Sequence, residues 1–315
     1  MDPPKAIDEI SVDAATLALY KRNYSLPVDA PVTKEMVRHH WILESELTQR
    51  LLRSTPEERW QVFEDAYSRL YRECYWLNAF SVSHDRDDNF NYRHFLTLLG
   101  DSQSIYEIGS GKAGLINYLA RHGRQCVATE ITRERGAPYA VQDANPIWHQ
   151  SDGVHLERFE PANRYDAVVS TQVIEHLHPE DLVAHFRGVL SILKPGGKYA
   201  FNTPHHLFGP RDLSAVFGKD AAVCMHLKEY YAFELAKAAE QAGFGKLKGV
   251  YLAPGRLRKK LPIVIESGFY LGYLQAVERW FAARRARTGE RPPIGWLRML
   301  LFTADVFLTA VKPAD

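Results

Sequence analysis

Cysteine is scarce in this 315-residue chain: Cys74, Cys126 and Cys224 stand far apart, with no CxxC pair. Three scattered thiols exclude a disulfide framework and a structural zinc site built on paired thiolates. An excess of charge is missing too. With 39 basic against 38 acidic residues the formal net charge is +1, which supplies no field for holding a long polyanion, so a nucleic-acid partner is not expected. The opening Met-Asp-Pro-Pro-Lys-Ala-Ile-Asp-Glu has no apolar core of a secretory leader, and a cytoplasmic protein is expected. No long hydrophobic run is free of charge. The most apolar stretch, 294–311, carries Arg298 and Asp305, both costly in hydrocarbon, which argues against a membrane span. Internal repeats and low-complexity tracts are absent.

What is present is 46% hydrophobic against 24% charged residues, enough apolar surface for a substantial core. The front of the chain, 1–92, reads as a helical cap or substrate region. Leu43, Leu47, Leu51 and Leu52 fall at helical spacing. Thr55-Pro56-Glu57-Glu58 has the form of an N-cap, a proline at the first helical position and acids in the first turn. The stripe Val62, Phe63, Ala66, Leu70 then runs into Tyr71, Tyr75, Trp76 and Phe80. Such a stripe reads as core, the alternative being a lid over a substrate.

From about residue 101 the rhythm becomes alternating short apolar runs and amphipathic stretches, the signature of βαβ units. Strands are predicted at 104–108, 126–129, 147–150, 166–170, 198–202 and 247–252. Helices are predicted through Leu115, Leu119 and Ala120, over 179–193, and over 229–242, the last closed by Gly243. Between the first strand and its helix lies Tyr106-Glu107-Ile108-Gly109-Ser110-Gly111-Lys112-Ala113-Gly114. Glycines there let the backbone turn tightly and approach a ligand at the positive end of the next helix. Gly109, Gly111 and Gly114 alone also satisfy the dinucleotide fingerprint. A Walker A loop is excluded, because Ala113 follows Lys112 where Ser or Thr is required.

The run Glu107-Ile108-Gly109-Ser110-Gly111 resembles the first motif of the class I, Rossmann-like S-adenosylmethionine-dependent methyltransferases. Arg164-Tyr165-Asp166-Ala167-Val168-Val169-Ser170 with Gln172-Val173-Ile174-Glu175-His176-Leu177 is similar to that family's fourth-strand motif, and Leu193-Lys194-Pro195-Gly196-Gly197-Lys198-Tyr199 to the turn opening its fifth strand. The resemblance runs from about residue 93 to 251. It implies a seven-stranded sheet whose last strand, 305–313, runs antiparallel between its neighbours, with a mostly helical insertion over 254–303, all within a cofactor domain over 93–315. It also implies S-adenosylmethionine as cofactor. A carboxylate at Glu107 suits the ammonium of a methionine moiety and would repel a pyrophosphate. Gly109, Ser110 and Gly111 would form the turn, Glu130 and Ile131 the ribose side, Asp152 and Gly153 the adenine side, and Gln172 the edge after the fourth strand.

A sulfonium-borne methyl is already electrophilic, so the protein mainly aligns the reacting atoms. A hydroxyl acceptor also needs a base, and His205 or His206, after the fifth strand, is the expected one. The bland alternative is that both bind loop backbone. Some relatives hold a metal with a Glu-x-x-Glu-His run. Here Gln172 occupies the first position, a poorer ligand for a hard cation, so no metal is expected. Glu175 and His176, with His205, His206 or His226, would be its ligands. His226 and Arg211-Asp212 read as capping or a local salt link, substrate contact being the alternative. The expected reaction is O-methylation of a small-molecule, sugar or glycolipid acceptor. The basic clusters 256–260 and 284–287 read as solvated faces, with peripheral contact to a membrane surface as the other reading of 256–303. The rivals from other classes are an NAD(P)-dependent oxidoreductase, which leaves Glu107 unexplained, and a non-catalytic methyltransferase-like partner subunit.

Overall fold

The computed structural model describes residues 10–80, 88–135, 146–253, 263–289, 293–301 and 304–314. They form two compact units, one from the described residues within Met1–Ser83 and Gly209–Lys228, the other from those within His84–Phe208 and Glu229–Asp315. Segment 209–228 thus joins the helical unit although it follows the fifth strand in sequence.

The helical unit contains α1 (Ala14–Asn23), α2 (Lys34–Arg53), α3 (Arg59–Glu73) and α4 (Trp76–Ala79). Asp13 starts α1 by accepting the Thr16 N–H at 2.7 Å, and Thr33 starts α2 by accepting that of Met36 at 3.3 Å. The predicted start at Thr55-Pro56 is not used. The Glu58 carboxylate folds back onto the Thr55 N–H at 3.0 Å, closing a separate turn, and α3 begins at Arg59. Leu43, Leu47 and Leu51 are buried, whereas Leu52, one residue off their stripe, is exposed. A buried relay crosses this unit. Trp76 Nε1–H donates to the Tyr20 hydroxyl, which bonds His40 Nδ1, while His40 Nε2 bonds Glu44, each contact being 2.8 Å.

The second unit begins with α5 (Asp88–Leu99), followed by β1 (Ser104–Ile108), α6 (Gly114–Arg121), β2 (Gln125–Glu130), β3 (Ile147–Gln150) and β4 (Tyr165–Thr171). Then come α7 (Leu182–Ile192), β5 (Leu193–Pro204), α8 (Ala232–Ala242), β6 (Lys246–Leu252), β7 (Val264–Ser267), α9 (Gly268–Thr288), α10 (Ile294–Leu301) and β8 (Asp305–Val311). The sheet order is β3-β2-β1-β4-β5-β8-β6-β7. Strands β1 to β5 pair in parallel, while β8 runs antiparallel to both β5 and β6. The apolar tail is therefore a strand with Val306 to Ala310 buried.

Eight strands are present where seven were expected. The additional one, β7, pairs antiparallel with β6 from Gly249↔Ser267 to Leu252↔Val264. It lies at the start of the insertion, whose remaining described part is helical. Its Glu266 accepts from Thr309 and from Lys198 Nζ at 3.1 Å, polar links across the sheet that apolar periodicity does not reveal. The basic cluster 256–260 falls outside the described residues; 284–287 lies on α9. Among the described residues no helix is long and apolar enough to cross a membrane.

Successive strand residues face opposite sides of the sheet. Tyr106, Ile108, Val168, Tyr199, Phe201 and Leu308 pack with α7 and α8 on one side. Ile105, Val169, Ala200 and Phe307 pack with α5 and α6 on the other. At the amino edge, Asp166 accepts from the N–H groups of Gln103 (3.0 Å) and Ser104 (2.8 Å), from Ser104 Oγ (2.9 Å) and from Lys194 Nζ (2.7 Å). Burial raises its pKa, but these donors outweigh burial and hold the carboxyl below its ordinary value. Asp166→Ala is expected to cost about 2 kcal/mol in urea unfolding at pH 7. Because the folded pKa is depressed, that deficit is lost as pH falls below the ordinary carboxylate value near 3.8. An equal deficit at pH 7 and at low pH contradicts this account.

Candidate cofactor site

The order β3-β2-β1-β4 puts the switch point of the parallel sheet between β1 and β4, where open α/β sheets bind ligands outside the carboxyl ends of the strands. Strand parity turns Glu107 to the face opposite Tyr106 and Ile108. Its side chain is 1% exposed and its Oε2 has no hydrogen-bond partner. Desolvation, then the negative charge of Glu130, lift its pKa to about 8, against a backbone N–H from Ile116 in the first turn of α6. A buried carboxylate with an unmatched oxygen is stabilised by an incoming cation.

The chain then turns through Gly109 (φ +67°) and Gly111 (φ +54°). A Cβ on Gly109 would collide with Cγ2 of Val173, so glycine is required for both conformation and space. On Gly114 a Cβ would collide with the Tyr92 side chain from α5. Ser110 Oγ is buried without a partner. The Glu130 carboxylate accepts from the Gly111 N–H (2.9 Å) and the Ile131 N–H (3.1 Å), tying the ends of β1 and β2 together. Desolvation raises its pKa, opposed by Arg135 and these two N–H groups. After β3, Asp152 Oδ1 accepts from the N–H groups of Val154 and His155, both at 2.8 Å, and Gly153 has φ +68°. After β4, Gln172 holds φ +55°, an uncommon conformation for a residue with a Cβ, and its N–H donates to the Asn202 carbonyl at 3.0 Å. The structure thus gathers Glu107, Gly109, Ser110, Gly111, Glu130, Ile131, Asp152, Gly153 and Gln172 along one edge, on or after four neighbouring strands.

The histidines after β5 occupy different surroundings. His205 is 1% exposed; its Nδ1 accepts the Leu207 N–H at 3.0 Å, and its Nε2 lies 2.9 Å from the buried Glu278 carboxylate, close but not aligned as a hydrogen bond. Glu278, on α9, also accepts from the first N–H groups of α8, Ala232 (2.8 Å) and Phe233 (3.1 Å). His206 Nδ1 faces the Glu229 carbonyl at 3.2 Å, and Nε2 faces Arg285 Nη1 at 3.3 Å. Desolvation lowers the His206 pKa, with Arg285 adding to the effect. The acceptor nitrogen of each ring thus already faces a donor within the protein. Glu175 is buried and accepts from Thr203 Oγ1 at 2.8 Å, while His176 is partly exposed and its N–H donates to the Val173 carbonyl. His226 and Arg211-Asp212 belong to the helical unit. The sequence reading missed Glu278, which carries no motif, and His185, which sits on α7 with no local pattern to mark it.

These features define a Rossmann-like α/β protein with a buried carboxyl, left one donor short, ahead of its first glycine turn. A family model described as a methyltransferase domain matches residues 82–248, more than half of the chain. The chain belongs to that family, whose cofactor is S-adenosylmethionine. It is 24% identical over 151 residues to the ubiquinone biosynthesis O-methyltransferase of Xanthomonas axonopodis pv. citri, a match covering 47% of this chain and 62% of that enzyme. The chain thus spans about three fifths of the length of the curated relative it matches. Among solved structures, the Burkholderia thailandensis 1,6-didemethyltoxoflavin-N1-methyltransferase, with its substrate and S-adenosylhomocysteine bound, is similar with a TM-score of 0.50 at 13% identity, covering 82% of this chain and 91% of that one. An Archaeoglobus fulgidus S-adenosylmethionine-dependent methyltransferase gives a TM-score of 0.47 at 16% identity, over 70% of this chain and 90% of that one. At such identities the first likeness shows the fold alone.

The unmatched Glu107 oxygen fits this cofactor, which carries an ammonium group. In the cofactor-free protein, a folded pKa near 8 against 4.5 means that Glu107 favours folding most below pH 4.5 and loses that contribution as pH rises through 8. Glu107→Gln is therefore expected to raise cofactor-free stability above pH 8, by about 5 kcal/mol at most, and to weaken S-adenosylhomocysteine binding about 10- to 100-fold. Wild-type affinity should rise with pH up to about 8 and level off, because binding draws on the ionised carboxylate. Calorimetry showing equal affinity in both proteins would remove Glu107 from the site.

Proposed function

We propose that this methyltransferase transfers the methyl group to a hydroxyl oxygen of a small organic acceptor, and that an acidic, phenol-like hydroxyl is favoured over a sugar alcohol. The reading is carried by the likeness to the ubiquinone biosynthesis O-methyltransferase. The engaged histidines support it. With the lone pairs of His205 and His206 already taken, an acceptor that ionises readily needs less help from a base than an alcohol does. A sugar or glycolipid hydroxyl is the second reading. The oxidoreductase alternative is not favoured, because Glu107 stands where a pyrophosphate would be repelled.

Bound S-adenosylmethionine supplies a methyl group on a sulfonium, poised for in-line displacement. Glu107 would hold its ammonium group. The turn at Gly109, Ser110 and Gly111 would bring backbone against it, and Glu130 with Ile131 would take the ribose hydroxyls. Asp152 and Gly153 would border the adenine, with Gln172 beside the reacting centre. Glu278 and His205 would hold the segment after β5 in place, and alignment is the main contribution asked of the chain, worth several kcal/mol.

Incubation of the full chain with isotopically labelled S-adenosylmethionine and matched panels of phenols, sugars and glycolipids tests this by mass spectrometry. Label on phenolic oxygen is expected; label confined to sugars, or to nitrogen or carbon, overturns it. On a phenolic acceptor, His206→Asn should keep kcat within about tenfold of wild type, whereas loss of a general base would cost about 100- to 10,000-fold.

A further inference from the structure

Behind the candidate cofactor edge runs a polar chain that local sequence does not announce. His185, on α7, is fully buried; its Nδ1 lies 2.5 Å from the Gly153 carbonyl and its Nε2 2.8 Å from the Tyr199 hydroxyl. That hydroxyl lies 2.7 Å from Ser170 Oγ, and Ser170 and Tyr199 are buried too. Four elements contribute one group each: the loop after β3, α7, β5 and the end of β4.

The chemistry of the end groups fixes the direction of every bond for a neutral ring. A carbonyl only accepts, so Nδ1 carries the proton and donates to Gly153. Nε2 then accepts from the Tyr199 O–H, and Tyr199 Oη accepts from the Ser170 O–H. Only the neutral ring with Nδ1–H gives this order. Burial keeps the ring neutral, pushing its pKa down to about 4 against the opposing Gly153 bond.

A second observation lies one turn along the same helix. A Cβ on Gly188 would land on the Val154 carbonyl oxygen and lie 3.1 Å from Leu156 N. Helix α7 therefore presses backbone to backbone on the segment following Gly153, and His185 and Gly188, three residues apart, share the face that does so. The loop itself is tightly turned, with Gly153 at φ +68° and its N–H on Ser151 Oγ at 3.1 Å. A ligand-binding loop loses affinity when it is free to wander, because binding must then order it.

We propose that His185 is a positioning residue for the cofactor: through Gly153 it fixes the loop carrying Asp152, using the hydrogen-bonded backing of Tyr199 and Ser170, and Gly188 provides the close approach that lets it reach. This rests on the reading of Asp152 and Gly153 as part of the cofactor site. It assigns to α7 a role in cofactor affinity beyond its share of the core, although no atom of His185 is expected to touch the cofactor.

The test uses the full chain as wild type, His185→Asn, His185→Phe and Tyr199→Phe. Nitrogen-15 NMR of the wild-type imidazole should report the neutral Nδ1–H tautomer down to pH 5. Calorimetric titration with S-adenosylhomocysteine at pH 7.5 should show at least tenfold weaker binding for His185→Phe and about three- to tenfold weaker for Tyr199→Phe. His185→Asn, whose amide nitrogen falls where Nδ1 stood and can still donate to Gly153, should stay within about threefold of wild type. A group that served only the core would lower the melting temperature of all variants and leave the affinity of the folded protein unchanged. Unchanged affinity in folded His185→Phe, or in Tyr199→Phe should the first not fold, overturns the proposal, as does an Nε2–H tautomer. Absence of binding by the wild type instead overturns the cofactor reading on which it rests.

Discussion

The candidate cofactor edge is organised around one buried carboxyl that the protein leaves short of donors. Glu107 is carried into the interior by the parity of β1 and is left with an oxygen that nothing donates to. Burial of that kind opposes folding at neutral pH, a cost that a cationic ligand would offset. The surrounding turn is built closely around this carboxyl. Gly109 removes a side chain that would strike Val173, Gly111 offers its N–H to Glu130, and the Gln172 turn accepts a strained backbone. Stability and cofactor affinity are opposed at this residue, and pH moves them in different directions.

Around that edge, the sheet unit is held by polar links that join elements distant in sequence. Asp166 secures the amino ends of β1 and β4 through four donors. Glu278 starts α8 and faces His205 from α9, and His185 joins α7 to the loop after β3. Each is a buried or half-buried group satisfied only by a partner on another element, which makes relative placement specific where apolar packing alone would tolerate slippage. The insertion between β6 and β8 belongs to this scheme. Through β7 it extends the sheet, and through Glu278 it reaches the segment after β5.

Legibility in the sequence varied with how local the cause was. The strand at 147–150 and the closure of α8 by Gly243 follow from runs and turn residues a few positions apart, and both stand where local pattern puts them. The start of α3 does not: 55–58 close a separate turn, the Glu58 N–H donating to the Thr55 carbonyl, and the helix begins at Arg59. The short strand β7 was hidden inside a stretch dominated by helical pattern. At the cofactor edge, the glycines and acids were legible because their spacing is set by one strand–turn–helix unit. The histidines after β5 were legible as residues but their surroundings were not, since the groups their ring nitrogens face come from residues 207, 229, 278 and 285.

The sequence by itself determined the parallel βαβ rhythm, the glycine turn with an acid two residues ahead of it, and the absence of a disulfide scaffold. These are consequences of neighbours along the chain. Tertiary structure alone decided that Glu107 is buried with an unmatched oxygen, that an eighth strand closes the sheet, and that 209–228 joins the helical unit. It also decided that His185 stands behind the loop after β3. Those outcomes depend on which groups meet across tens of residues, and burial and hydrogen-bond satisfaction are properties of that meeting rather than of any one segment.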